Sequence, residues 1–162
     1  MPALPEKLLH GVLDRMPVAR LAVLDATGRP EALPIVFARV GPCLYSPVDG
    51  KPKKHGRLAR LAHIERNPAV QLVLDHYAAD WTQLWWVKLT AEAAIVEDGA
   101  HADWQAAVAA LHRKYPQYRE TTTLFTGVPT MIVLPWERVR WWAANGETGI
   151  VDWLTRSLAW QP

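Results

Sequence analysis

Residues 43–68, CLYSPVDGKPKKHGRLARLAHIERNP, decide how the chain is read. A short β-type run, Cys43 to Ser46, empties into a turn carrying Lys51, Lys53 and Lys54, and a helix follows. The helix is expected to start near His55 or Gly56. Leu58, Leu61 and Ala62 then share one face, and Asn67-Pro68 ends it. A helix start presents unpaired N–H groups and a partial positive charge, so it can hold an anion. The three lysines, with Arg57 expected inside the first turn, add full charges there. Five of the 18 Lys and Arg fall within residues 51 to 60. On composition alone this is a solvated surface turn. Its place between a strand and a helix points instead to an anchor for a phosphorylated cofactor.

The totals bound the rest. A chain of 162 residues suits one domain with a sizeable core. Half of it is hydrophobic and 21% is charged, which argues against disorder. A net charge of +2 provides no global field for nucleic acid. The single cysteine, Cys43, cannot close an intrachain disulfide, which fits a reducing cytosol. No signal-peptide pattern is seen, and no apolar run nears the roughly 18 residues of a membrane helix. A cytoplasmic location is therefore expected, with neither membrane nor nucleic acid as partner. Nine tryptophans exceed what one small core needs. A subunit interface or a pocket for a flat ring would use the surplus.

Periodicity supplies the elements. Pro5 to Met16 reads as an opening helix with a stripe of Leu8, Leu9, Val12 and Leu13. Val18 to Leu24 and Ala32 to Phe37 form a hairpin around the Asp25–Pro30 turn, and Pro34 marks an edge or a bulge. Val70 to His76 reads as a strand covered on both faces. In the next strand Trp85, Val87, Leu89, Ala91, Ala93 and Ile95 face the core, while Trp86, Lys88, Thr90 and Glu92 face water, a ligand or another subunit. His101 to Lys114 is helical through Trp104, Ala107, Val108 and Leu111, and KYPQYRETTT is a loop. Met131 to Trp142 is a last strand interrupted at Pro135, and an amphipathic segment with Ile150, Trp153 and Leu154 closes the chain. Strands clustered in hairpins against two or three helices imply a mainly β, α+β fold, a small antiparallel barrel with peripheral helices.

Several chemistries lack their residues. There is no Gly-x-Gly-x-x-Gly and no Walker loop. Cys43 has no nucleophile motif around it. Asp75, His76 and Asp80 could be assembled into a metal site on paper, but a lone strand-end histidine reads as a packed or capping residue, and no metal is expected. His55 and His63 read as surface histidines, and no carboxylate pair stands out as acid and base. Aromatics, an anion anchor and no acid/base machinery together describe a flavin-type enzyme, in which the cofactor supplies the chemistry.

The segments VARLAVLDATGRPEALPIVF, LYSPVDGKPKK, RLARLAHIERNP, LVLDHYAADWTQLWWVK, KYPQY and RWWAA carry a resemblance. Over residues 5 to 143 the chain resembles the pyridoxamine 5′-phosphate oxidase-like, flavin-binding split β-barrel superfamily, and within it the deazaflavin (coenzyme F-420) dependent oxidoreductases. The resemblance implies a six-stranded antiparallel split β-barrel, spanning residues 1–144 and working as a homodimer with cofactor sites at the interface. It places the phosphate of FMN or the deazaflavin at Lys51, Lys53, Lys54 and Arg57. It lays the ring against Pro34, Ile35 and Val36 and against Ser46, Pro47 and Val48. Trp86 and Lys88 are the candidate wall from the partner chain. The Ser-Arg-Lys phosphate turn and the C-terminal Arg-x-His of pyridoxamine phosphate oxidases proper are missing, so vitamin B6 oxidation is not implied. Residues 145–162 extend past the subgroup's usual end, as a helix docked on the partner or a lid over the chain's own core.

Two functions follow as expectations. One is an oxidoreductase moving a hydride between bound flavin or deazaflavin and a small organic substrate, with no catalytic side chain marked. The other is a carrier or sensor holding flavin or a tetrapyrrole in the same cleft without turnover.

Overall fold

A computed structural model describes residues 2–49, 58–97, 99, 101–120 and 123–157. Helix α1 (Glu6–Arg15) buries Leu9, Val12 and Leu13 and leads into the hairpin of β1 (Ala19–Leu24) and β2 (Pro30–Ile35). The hairpin turn is built by Asp25, whose Oδ1 accepts from the Thr27 amide at 2.8 Å, the Thr27 hydroxyl at 2.7 Å and the Arg29 amide at 3.0 Å. Gly28 supplies the φ of +79° that the turn requires. Then come β3 (Ala38–Val40), β4 (Cys43–Pro47), α2 (Ala59–Arg66), β5 (Ala69–His76), β6 (Trp85–Glu92) and β7 (Ala94–Glu97). Helices α3 (Trp104–Lys114) and α4 (Gln117–Glu120), strand β8 (Thr130–Ala143) and helix α5 (Gly146–Arg156) complete the order.

The sheet runs β2-β1-β5-β6-β8-β4-β3, with antiparallel pairing throughout, and β7 pairs with β8. It curls into a half-barrel around a core that includes Leu13, Leu21, Phe37, Leu72, Trp85 and Leu89. A second apolar cluster, with Tyr45, Trp104, Leu111, Tyr115 and Met131, lies between α3 and the β3–β4 side.

The split-barrel class is the expected one, but the strands among the described residues number eight, not six. The strand expected from Ala32 to Phe37 stops at Ile35 and is followed by a further strand, β3, while the strand expected through Ile95 divides into β6 and β7. Phe37 gives its amide to the Tyr115 hydroxyl at 3.0 Å, separating β2 from β3. The Ala93 amide still bonds the Pro68 carbonyl at 2.8 Å, one step past the Ala69–Glu92 pair, and from Ala94 the chain pairs instead with the start of β8 as β7. Pro34 sits, as expected, in an edge strand, since β2 pairs only with β1.

Other expectations need correction. Strand β5 is covered on one face rather than two, because Ala69 and Gln71 point to solvent. Strand β8 runs through Pro135 without interruption. At that residue it leaves β4 and begins to pair with β6, so the missing N–H falls where the partners change. KYPQYRETTT is not a plain loop. It contains α4, and Tyr115 and Tyr118 are both buried.

The closing helix α5 lies on its own chain. Ile150 is fully buried, the Trp153 ring meets Trp85 edge-on at 4.8 Å, and the Leu154 methyls lie so close over Gly11 that a β-carbon there would stand only 3.1 Å from them. Among the described residues no helix is long and apolar enough to cross a membrane.

Candidate functional site

The helix after the lysine turn begins later than its sequence implies. Leu58 is extended, at φ −60° and ψ 133°, and serves as N-cap, so the first turn of α2 holds Arg60 rather than Arg57. Leucine has no acceptor, and among the described residues the N-cap side chain makes no hydrogen bond to the first amides of α2. Asn67 ends the helix as expected, its amide returning to the His63 carbonyl at 2.9 Å.

Beside that helix start lies a cavity of about 210 Å³, lined by Pro34, Ile35, Val36, Ser46, Pro47, Asp49, Leu58 and Arg60. The edge of β2 gives one wall, the end of β4 the floor, and α2 the other wall. The structure therefore brings together Pro34, Ile35, Val36, Ser46 and Pro47, all named from the sequence. Val48 is not part of the lining: its amide bonds the Thr130 carbonyl at 2.9 Å, and its side chain packs on the main core. Lys51, Lys53, Lys54 and Arg57 lie outside the described residues.

Three lining residues and one behind them were missed. Arg60 is half-buried, and its Nε is buried with no hydrogen-bond partner. Burial pushes the guanidinium pKa down, and the nearby Asp49 carboxylate opposes this. Asp49 is 6% exposed and accepts a 2.9 Å hydrogen bond from the Tyr118 hydroxyl. Burial, reinforced by that carboxylate, raises the Tyr118 pKa, so its proton stays on the phenol. Arg60 was within reach of sequence reasoning. Counting two helical turns back from Asn67 puts residue 60 in the first turn. Nothing local in KYPQY marks Tyr118 as Asp49's partner.

Trp86 and Lys88 are elsewhere, on the outer face of β6. The Lys88 ammonium lies 5.3 Å from the Trp86 ring centroid. Across the ladder Trp86 faces Trp142, and Lys88 faces Arg140. Trp142 is 39% exposed, whereas Trp85, Trp104 and Trp141 are buried. The tryptophan surplus thus divides between core and surface.

The residues considered for a metal are occupied otherwise. Asp75 pairs with Arg20 at 3.0 Å, Asp80 caps the turn at Thr82, and His76 lies beside the contacting Trp85 and Trp153 rings, 6.3 Å from each. Among the described residues no three His, Cys, Asp or Glu converge.

No protein-family model matches the chain, and no curated protein shows significant similarity to it. Solved structures do. A heme binding protein from Mycobacterium smegmatis is 18% identical with a TM-score of 0.67, over 90% of this chain and 56% of that one. The heme storage protein HutZ from Vibrio cholerae is 16% identical with a TM-score of 0.61, over 86% of this chain and 94% of that one. A candidate pyridoxamine 5′-phosphate oxidase from Listeria innocua is 18% identical with a TM-score of 0.60, over 89% and 100%. The chain spans little more than half the length of the first of these. The fold is that of the pyridoxamine 5′-phosphate oxidase-like split barrels.

Proposed function

We propose that the cleft binds the phosphate-bearing chain and ring of FMN or a deazaflavin, and that the protein is an oxidoreductase acting on a small organic substrate. One observation carries this reading. A guanidinium with an unpaired, buried Nε opens onto a cavity, beside uncapped helix amides. Leaving a buried donor unmade costs about 1–3 kcal/mol, which a phosphate oxygen would recover. Arg60 and the start of α2 hold the phosphate, with Lys51, Lys53 and Lys54 as further charges from the adjoining turn. The edge of β2 gives the ring a backbone rim, and Val36 lies past the last ladder pair, Ala19 with Ile35. Asp49 tempers the positive charge and can accept from a ligand hydroxyl or ring N–H. When bound, the ring supplies hydride transfer, so no protein nucleophile or metal is required.

A homodimer completes the site in this reading. Lys88 opposite Arg140 places like charges side by side, an arrangement that costs energy unless an anionic group, from a ligand or a second copy, lies against it. The outer face with Trp86 and Trp142 is suited to meet the cleft of a second copy.

The second reading is a carrier of flavin or tetrapyrrole without turnover, favoured by the two neighbours named for heme. Against it, the described lining offers no His, Cys, Met or Tyr to ligate haem iron.

The test is absorbance titration of the protein with FMN, the deazaflavin and haemin separately. A saturable shift of the flavin or deazaflavin band, weakened in Arg60→Gln, is expected. A Soret shift with haemin and no flavin change would overturn the assignment. Enzyme and carrier separate when the bound cofactor is reduced and offered a panel of acceptors. The oxidoreductase reading requires reoxidation faster than oxygen alone gives.

A further inference from the structure

We propose that the His63–Glu31 pair is a positioning clasp for the cleft: it fixes where helix α2 lies along strand β2, and so where Arg60 stands against a ligand. Glu31, Leu33 and Ile35 share one face of β2, because side chains two apart on a strand point the same way. Arg60 and His63 are three residues apart and share one side of α2. The two rows run side by side. At one end His63 Nε2 lies 3.1 Å from Glu31 Oε2, and at the other Ile35 and Arg60 line the same cavity. Four strand residues, about 13 Å, separate the clasp from the cleft it serves. The inference deepens the cofactor reading, and its effect on binding rests on that reading.

The clasp supplies a direction that the other contacts of α2 lack. Leu61 and Ile64, 3% and 2% exposed, hold the helix on the barrel. Apolar burial is non-directional, so it presses the helix down without fixing its place along β2. Among the described residues β2 pairs in the sheet with β1 alone, so no ladder sets that register either. The His63 side chain is 14% exposed, and its Nδ1 lies 3.4 Å from Arg66 Nη1. A neutral imidazole with its proton on Nε2 satisfies both neighbours, donating to the carboxylate and accepting from the guanidinium. The Glu31 side chain is 51% exposed, so the pair adds little to stability. Its consequence is geometric. A charge-assisted bond from Arg60 to a phosphate oxygen holds only near about 2.7–2.9 Å, and a small slide of α2 breaks it.

The test is a double-mutant cycle on FMN affinity in the full chain, with urea midpoints measured beside it. His63→Ala should weaken FMN binding about fivefold, within the range of coupled neighbours, and leave the urea midpoint nearly unchanged. His63→Gln should restore most of the affinity, because its amide N–H can still reach Glu31. In an Arg60→Gln background His63→Ala should cost nothing further, since the clasp acts through Arg60. Unchanged affinity in His63→Ala, an equal loss in both backgrounds, or no rescue by His63→Gln would overturn the clasp. If the wild type binds no FMN, the cofactor reading fails and hydrogen exchange decides the clasp. The Leu61 amide, which bonds the Leu58 carbonyl at 3.1 Å, reports the cleft end of α2. Its exchange should quicken in His63→Ala and return to the wild-type rate in His63→Gln. The same rate in all three proteins would overturn the clasp.

Discussion

Arg60 and Lys114 are enclosed cations on either side of residues 36 and 37, and they differ in how they are satisfied. Lys114 has its partners inside the fold, a carbonyl at 2.8 Å and a ring at 3.7 Å. Arg60 has a carboxylate nearby, an unpaired Nε and an open cavity in front of it. The first joins secondary elements. The second has a donor left over for something outside the chain. A buried charge points to a ligand only when its inventory of bonds does not close.

The largest expected effect breaks the pair on the Lys114 side. Its folded pKa, about 7, lies below the unfolded value of 10.5. Between those values the unfolded chain binds the proton and the folded chain does not, so stability rises with pH across that window. The gain should be on the order of 3 kcal/mol, discounted because the side chain is partly exposed. Urea midpoints from pH 7 to pH 10.5 measure it. Lys114→Met should abolish the slope. A slope unchanged in that variant would place the titrating group elsewhere.

Next comes Arg60. In Arg60→Met the cost of burying an unpaired donor disappears together with the ligand contact. The apo protein should keep its melting temperature or gain, while FMN binding weakens by about 1.5–3 kcal/mol. Opposite signs for stability and binding mark a residue held for a ligand. Parallel losses in a thermal-shift series with and without FMN would make Arg60 structural and erase its contrast with Lys114.

These two residues also show what the sequence could disclose. Alternation in WWVKLTAE gave the strand and its buried face, because burial on one side of a pleat leaves a period of two. Asn67-Pro68 gave the end of α2, because proline cannot continue a helix. The resemblance named Pro34 to Val36 and Ser46 to Val48, and the structure gathers all of these but Val48 in one cleft. Arg60 stood beside a denser run of charge at residues 51 to 57, and only its place in the first turn of α2 sets it against the cleft. Lys114 and Tyr118 could not be read at all. Their roles come from partners 101 and 69 residues away in sequence, and no local period encodes such a distance. The strand count failed for a related reason, since the Tyr115 hydroxyl that interrupts β2 and β3 is 78 residues from Phe37.

Tyr118 sharpens the contrast from behind the cleft. Tyr118→Phe removes one donor from the Asp49 carboxylate and should cost about 1–2 kcal/mol in urea unfolding. With less donated to it, Asp49 should oppose a bound phosphate more strongly, so FMN binding should weaken slightly as well. A stability loss with FMN affinity untouched would detach Asp49 from the ligand and leave Arg60 as the charged contact of the described lining.

The smallest effect is expected on the outer face, at the Arg20–Asp75 pair. Its N–O distance is 3.0 Å, but the two side chains are 53% and 27% exposed. Exposed pairs contribute about 0–1 kcal/mol and are weakened by salt. Asp75→Asn in the isolated chain should therefore cost no more than about 0.5 kcal/mol, and less at high salt. The same pair lies on the sheet face that carries Trp86, Lys88, Arg140 and Trp142. If a second copy covers this face, the pair is desolvated and loses its screening. The cost of Asp75→Asn would then grow with protein concentration and resist salt. A small, salt-sensitive and concentration-independent cost would mean that this face stays in water, and the proposed dimer would have to use another surface.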